Sequence, residues 1–486
     1  TPRGENYTYD LWGQPDEFVR KVLDYDFSLM QKAGVNTIRT FNSIPPKWVT
    51  YVYQEYGIRT IVNHLAARYG NSYTGKWVAN TNYQDPLTRA AMKADVLKTI
   101  ERFKNTPGLL MFALGNEANY GLSWSSFEIE NFPEGEQQKE KARYLYSIYN
   151  EIIAEAKKIT SDVPYTIVNG DIQYIDLIKE YCTDLDILGT NVYRGKGFTT
   201  LWKEVDEKLD IPVVLMEFGS DAFNARTNSE DQASQAYLIK DQWQEMYNKS
   251  YGNGEEGNSI GGTVFEWRDE WWKYKQTENL DKHDNNASWA NGGYPSDFRE
   301  GENNMNEEWW GIAALGTANS DGVYEAHPRM AYDVLTEVWS IDPYMFKKEA
   351  INQVFANMNM DFMQLKSDVR ILKAENRERK EIISFTGGDF RSEFVLKGNE
   401  NDIDLNGENG VQFSDQEMIF LDFGFQPTDK IKGALSVNLL GNVADKDDIE
   451  ISYGRQRELV EFDVPDPANP GLTRTVSVPA EDRERI

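Results

Sequence analysis

The chain has 486 residues, 51 of them basic and 79 acidic, for a net charge of −28. That length holds two or three domains with full cores. The acidic balance excludes nucleic acid and anionic lipid as partners, since both need basic patches; it suits a neutral substrate or a calcium-rich exterior.

Six of the 13 tryptophans lie between Trp267 and Trp310, so they mark a place in the chain. A single cysteine, Cys182, rules out an internal disulfide framework, and its context YCTDLDIL reads as packing. No run of about 18 apolar residues is present, so no transmembrane helix is expected. The chain opens in polar TPRGENYTYD without Met or a signal peptide, which reads as a processed or trimmed product.

In chain order, residues 15–33 have helical spacing through Phe18, Val22, Leu23 and Phe27, with Gly34 as the stop. VNTIRT (35–40) predicts a strand, 46–56 a helix and IRTIVNH (58–64) a strand. Asp85-Pro86 is a cap followed by a first-turn proline, opening a helix to about 105. LLMFALGNE (109–117) then predicts a strand buried on both faces and ending at a carboxylate.

Helix over 136–160, strand over 165–169, helix over 174–181 and strand LDILGTNVY (185–193) continue the alternation. A helix near 200–209 precedes PVVLMEFG (212–219), a second buried strand delivering a glutamate. Helix over 230–248, strand GTVFEW (262–267) and helix over 329–340 follow. Seven strands alternating with helices, with no Gly-rich phosphate loop, predict a parallel α/β barrel. The missing strand is the first; either Asn6–Tyr9 supplies part of it or it was lost upstream.

After Asp342 the pattern changes. Ile351, Phe355, Met358, Phe362, Leu365, Val369 and Leu372 alternate by four and three, with Asn376 next in phase. This seam (351–376) reads equally as a helix packed along the barrel or as a coiled coil making a homo-oligomer. From Ile382, short alternating strands separated by Gly, Asn and Asp predict an all-β sandwich, possibly truncated after its Pro-rich, charged end. The expected domains are a (β/α)8 barrel over 1–345, a helical linker over 346–380 and the sandwich over 381–486.

Two buried strands that each end in Glu put a carboxylate pair at the C-terminal mouth of a barrel. Retaining glycosidases use such a pair, one residue protonating the leaving oxygen and the other attacking the sugar carbon. GNE and EFG in this order resemble the (β/α)8 barrel of glycoside hydrolase family 2, the β-galactosidase, β-glucuronidase and β-mannosidase family. The resemblance covers about residues 10–340. It implies Glu117 as acid/base, Glu217 as nucleophile, and Asn116 on the sugar 2-hydroxyl. It further implies Tyr193 as a hydrogen-bond donor to the nucleophile, Arg39 as its counter-ion, His64 as a substrate ligand and Trp267 as a sugar floor.

Each residue has a plainer alternative: a solvated loop glutamate, a structural arginine, a histidine satisfying a backbone group, a core tryptophan. The pair inside its motifs makes catalysis the better reading. The insertion 269–308 carries Trp271, Trp272, Tyr274, Trp289 and Tyr294 among amides and carboxylates, and reads as an oligosaccharide subsite wall. A calcium site there is the weaker reading, since no spacing matches a calcium loop; no metal and no cofactor are expected. The β-sandwich domains that normally precede this barrel in the family are not in this sequence, whether by trimming or by descent, so sugar identity is not inherited.

The expectation is therefore a retaining glycosidase acting on β-linked oligo- or polysaccharide in an extracellular, periplasmic or cell-surface setting. A transglycosylase using the same carboxylates is the rival within enzymes. A non-catalytic glycan-binding or structural barrel is the rival outside them.

Overall fold

The computed structural model describes residues 11–41, 44–67, 70–73, 75–123, 132–270 and 283–383, plus strand segments 419–421, 435–437, 459–465 and 473–479. The chain divides into two compact units, Thr1–Met363 and Gln364–Ile486.

The first unit is a TIM-like barrel of parallel strands. In chain and spatial order these are β1 (Thr37–Thr40), β2 (Arg59–His64), β3 (Leu109–Leu114), β4 (Tyr165–Gly170), β5 (Ile187–Asn191), β6 (Val213–Phe218) and β7 (Ser259–Val264). All seven predicted strands are present. Among the described residues, β1 pairs only with β2 and β7 only with β6. A cavity of about 790 Å³ occupies the side between them, lined by residues of both strands together with Glu217, Phe265 and Trp339. The expected first strand at Asn6–Tyr9 lies outside the described residues.

Helices α1 (Asp16–Lys32), α2 (Pro46–Tyr56), α3 (Pro86–Phe103), α4 (Glu134–Ile159), α5 (Ile175–Tyr181), α6 (Leu201–Leu209) and α7 (Gln232–Asn248) alternate with the strands. Local chemistry sets their ends. Asp85 accepts from the Thr88 amide, with Pro86 in the first turn, as the Asp-Pro pair predicts. Gly57 closes α2 at φ 71°, a left-handed conformation open to glycine.

The strands bury two faces. Ile61, Met111, Ala113, Val168, Ile187, Val214 and Met216 fill the barrel interior. The alternate residues, among them Val62, Phe112, Leu114, Ile167, Leu188 and Leu215, join the helices in the larger core. Apolar residues on both faces explain the near-continuous hydrophobic runs. Cys182 is buried in that larger core, with its thiol pushed up to about 12 by burial and the nearby charge of Asp184.

After β7 the chain makes an antiparallel hairpin, β8 (Ala313–Ala318) with β9 (Tyr324–Pro328), which the sequence reading missed. Helix α8 (Met330–Val338) follows. The heptad seam is not one helix. It breaks at Met358 (φ −59°, ψ 121°) between α9 (Lys348–Asn357) and α10 (Met360–Ile383). Ile351, Phe355 and Met358 are spent on the barrel's own core, with the Phe355 ring 6.0 Å from Tyr247 on α7. The first half of the seam is therefore a helix packed along the barrel.

In the second unit, Ile419–Leu421 pairs antiparallel with Leu435–Val437, and Leu459–Pro465 with Thr473–Pro479. The second pair falls partly in the Pro-rich, charged end. The other expected strands of the sandwich lie outside the described residues.

Candidate active site

The site forms where β3 and β6 end. Strand β3 stops at Leu114, and Gly115 (φ 78°) turns the chain; a Cβ there would sit 2.0 Å from the Tyr149 hydroxyl. Asn116 and Glu117 follow, Glu117 itself at φ 53°, with its amide donating to Val168 O at 2.9 Å. A non-glycine residue in the left-handed region is strained, and here the neighbouring strand holds it. Glu217 lies near the end of β6 and is 7 % exposed.

Arg39, on β1, connects the two ends. One of its terminal nitrogens donates to Glu217 Oε1 at 2.8 Å and to Met216 O at 2.9 Å. The other donates to Asn116 Oδ1 at 2.7 Å, and Nε donates to Asn63 Oδ1 at 2.9 Å. Asn63 is itself anchored on Gly115 O at 2.8 Å. From the opposite side, the Tyr193 hydroxyl donates to Glu217 Oε2 at 3.0 Å. Both oxygens of Glu217 thus have donors.

Glu117 is in a different environment. Burial, and next the charge of Glu217, push its carboxyl up to about 7, against the pull of a hydrogen bond from Asn191 and the charge of Arg39. Two carboxyl groups in such different surroundings suit the division of labour that acid/base chemistry exploits.

Aromatic rings flank the pair. Tyr193 meets Trp310 edge-on at 5.0 Å and Trp289 at 6.2 Å, and Trp289 stacks on Trp310 at 6.4 Å. Phe265, just beyond β7, lies 5.9 Å from Trp310 and 6.0 Å from Phe41, whose ring sits under the Arg39 guanidinium at 4.3 Å.

With this geometry in view, comparison with known proteins is decisive in one respect. A family model described as the TIM barrel domain of family 2 glycosyl hydrolases matches residues 14–288. The chain belongs to glycoside hydrolase family 2. It is 26 % identical over 282 residues to a 1,3-beta-glucanosyltransferase of Aspergillus fumigatus, covering 54 % of this chain and 50 % of that one. It is 33 % identical over 98 residues to a beta-galactosidase of an Arthrobacter species, covering 20 % and 10 %. The chain thus spans half or less of the length of these relatives.

Among solved structures, the family 2 barrel is similar to a beta-galacturonidase from Eisenbergiella tayi (TM-score 0.42, 15 % identity, 68 % of this chain and 48 % of that one). A beta-D-glucuronidase from Dictyoglomus thermophilum gives TM-score 0.40 and 16 % identity over 67 % and 48 %.

Within this family 2 barrel, Glu117, Glu217, Asn116, Arg39 and Tyr193 come together as the sequence predicted. His64 does not join them. Ile61 and Asn63 occupy the inward positions of β2, so His64 alternates to the outer face, where Nε2 lies 3.2 Å from Asp95 of α3. Burial holds its imidazole below its ordinary value, with Asp95 opposing.

The Trp267 indole N–H donates to Asp26 Oδ1 at 3.0 Å and its ring rests 6.3 Å from Tyr332; Trp267 lines the same cavity as Arg39, Glu217 and Phe265, and Phe265 is the ring that meets Trp310. Trp271 and Trp272 lie outside the described residues. Sequence reasoning missed Asn63, Asn191, Phe41, Phe265 and Trp310, although Asn191 stands two residues before Tyr193 in the same NVY segment.

The insertion is bolted to the barrel by buried charge. Asp269 accepts from Arg329 at 2.6 and 3.0 Å and from the amides of Gly311 and Leu315, and pairs with His283 at 2.7 Å. Burial alone would raise its carboxyl; Arg329 and His283 outweigh burial and hold it below its ordinary value. Asp221 accepts from the Asn306 amide at 2.8 Å. These contacts position Trp310 beside Tyr193. Among the described residues no cluster of His, Cys, Asp or Glu could hold a metal ion.

Proposed function

We propose that this chain is a retaining glycosidase for β-linked oligo- or polysaccharide. The observation that carries the reading is the unequal environment of the two glutamates: Glu217 doubly donated to by Arg39 and Tyr193, Glu117 raised to about 7 beside it. In the first step a Glu217 oxygen attacks the anomeric carbon as the bond to the leaving oxygen breaks, and Glu117 gives that oxygen its proton. Glycosyl ester formation removes the negative charge of Glu217, so Glu117 becomes readily deprotonated and serves as base. Water loses a proton to Glu117 and attacks the same carbon; Glu217 departs as carboxylate.

Asn116 is the ligand of the sugar 2-hydroxyl in this scheme. Its Oδ1 already accepts from Arg39 and Asn191, which leaves its NH2 to donate. The aromatic cluster of Tyr193, Phe265, Trp289 and Trp310 suits the apolar faces of sugar rings. Proton NMR of the first-formed anomer tests the reading: a β product from a β substrate is expected, and an α product overturns it.

The similarity to a 1,3-beta-glucanosyltransferase supports a second reading, in which a sugar hydroxyl replaces water in the second step. Oligosaccharides longer than the substrate, detected by chromatography, would establish transfer. A polysaccharide substrate suits an extracellular or cell-surface setting.

A full (β/α)8 ring is part of the same proposal. A strand feeding α1 belongs next to β1 by the right-handed crossover, and the open side between β1 and β7 is the place it would fill.

A further inference from the structure

Beyond Glu117 the chain enters a short 3-10 helix, Ala118–Ser123, in which the Tyr120 amide donates back to Glu117 O at 3.0 Å. Asn119, 2 % exposed, pins this helix to the end of β4: its Nδ2 donates to Gly170 O at 2.9 Å and its Oδ1 accepts from the Gly170 amide at 2.7 Å. Along β4, Val168 fills the barrel interior, so by strand alternation Gly170 faces inward at the mouth. The Tyr120 ring takes the space a side chain would occupy there, since a Cβ on Gly170 would sit 2.5 Å from two of its ring carbons. A firmly mounted tyrosine thus lies over the barrel mouth at the acid's end. Trp310 in the aromatic cluster is 2 % exposed; Tyr120, at 47 %, has surface to offer a ligand.

We propose that Tyr120 is the platform of a leaving-group subsite, on whose ring the sugar unit released in the first step lays an apolar face. This rests on the reading of Glu117 as acid/base. The acid protonates the leaving oxygen, so the leaving sugar starts at the Glu117 carboxyl and extends over the residues around it. Tyr120 is one turn beyond that carboxyl. The groups that hold Glu217, Arg39 and Tyr193, instead surround the sugar under attack. A flat ring suits the C–H face of a neutral pyranose and dictates no hydroxyl pattern. The same platform serves an acceptor sugar in the second step, where it competes with water.

The test compares leaving groups, using the full chain with Tyr120→Ala and Tyr120→Phe. The probes are whichever of cellobiose, laminaribiose and lactose is cleaved fastest, and the β-glycosyl fluoride of its nonreducing sugar, whose small leaving group does not reach the platform. Tyr120→Ala should lower kcat/KM on the disaccharide about tenfold, with the fluoride within about twofold of wild type; Tyr120→Phe keeps the ring and should stay within about threefold on both. Equal losses on the two probes, or none on the disaccharide, overturn the proposal. A loss with Tyr120→Phe as large as with Tyr120→Ala assigns the effect to the hydroxyl and also overturns it, as does a wild type that turns over the fluoride and none of the disaccharides. If Tyr120→Ala does not fold, Tyr120→Leu, which fills the space over Gly170 without a flat ring, should show the same selective loss; failure of both makes Tyr120 a packing residue and overturns the proposal. The functional reading fails separately: it is sunk if Glu117→Ala keeps wild-type activity on the disaccharide, or if the wild type is inert on every probe, whatever the Tyr120 variants do.

Discussion

Arg39 and Glu217 form an ion pair at 2.8 Å with side chains only 2 % and 10 % exposed, although they come from the first and sixth strands of the sheet order. Their pairing fixes Glu217 relative to Asn116, because the same guanidinium holds both.

Arg39→Ala should therefore damage both activity and stability. Breaking a buried pair costs about 3–5 kcal/mol because the remaining charge is left without compensation. We expect kcat/KM to fall at least about a hundredfold and chemical denaturation to report the stability loss. Arg39→Lys should recover little, since an ammonium cannot span Glu217, Asn116 and Asn63 together.

Glu117 gives a prediction with a sign. An acid raised to about 7 must be protonated to work, so kcat/KM should decline as pH rises through about 7. Its raised value also means that the folded state loses stability between the ordinary carboxylate range and about 7, and remains less stable above it. Glu117→Gln carries no such burden. Its melting temperature should exceed wild type at pH 8 and approach it at pH 4; a difference independent of pH would contradict this.

Removal of Glu217 should be chemically repairable. Glu217→Ala is expected to abolish turnover, and azide should restore part of it by attacking from the vacated side to give the α-glycosyl azide. Glu117→Ala should still act on aryl glycosides with good leaving groups, and azide should then yield the β-azide. Identical azide products from the two variants would collapse the assignment of roles.

The insertion's anchor predicts a coupled loss. Arg329→Met leaves the fully buried Asp269 with His283 as its one remaining ion-pair partner among the described residues, and by the same argument as for Arg39 should cost up to about 3–5 kcal/mol. Because the anchor positions Trp310 against Tyr193, KM should rise as well. A variant that loses stability with unchanged kinetics would separate the anchor from the site.

Much of this was legible in the sequence because parallel strands buried on both faces are long apolar runs, and their ends stand out when a glutamate follows. The same double burial hid the rest. At β2 each face mixes one aliphatic residue, Ile61 or Val62, with polar ones, so hydropathy does not tell which face His64 takes; the inward positions of Ile61 and Asn63 decide it. Phe265 and Trp267 stand two residues apart, and strand pairing stops at Val264; where the chain bends afterwards is set by Asp26, 241 residues from Trp267. The Asp269–Arg329 anchor joins residues 60 apart, beyond any local pattern. The heptad seam was real as spacing, but Ile351 and Phe355 found their partners in the barrel.

Asn116 has a consequence for substrate choice. With Oδ1 already accepting two hydrogen bonds, flipping the amide would break both. Its free end can therefore only give hydrogen bonds. On the proposed pose, a sugar with a hydroxyl at carbon 2 offers a lone pair and is welcomed, whereas a protonated 2-amino sugar brings three hydrogens and no acceptor. On that pose the locked amide would favour units with an acceptor at carbon 2 over those with a protonated amine.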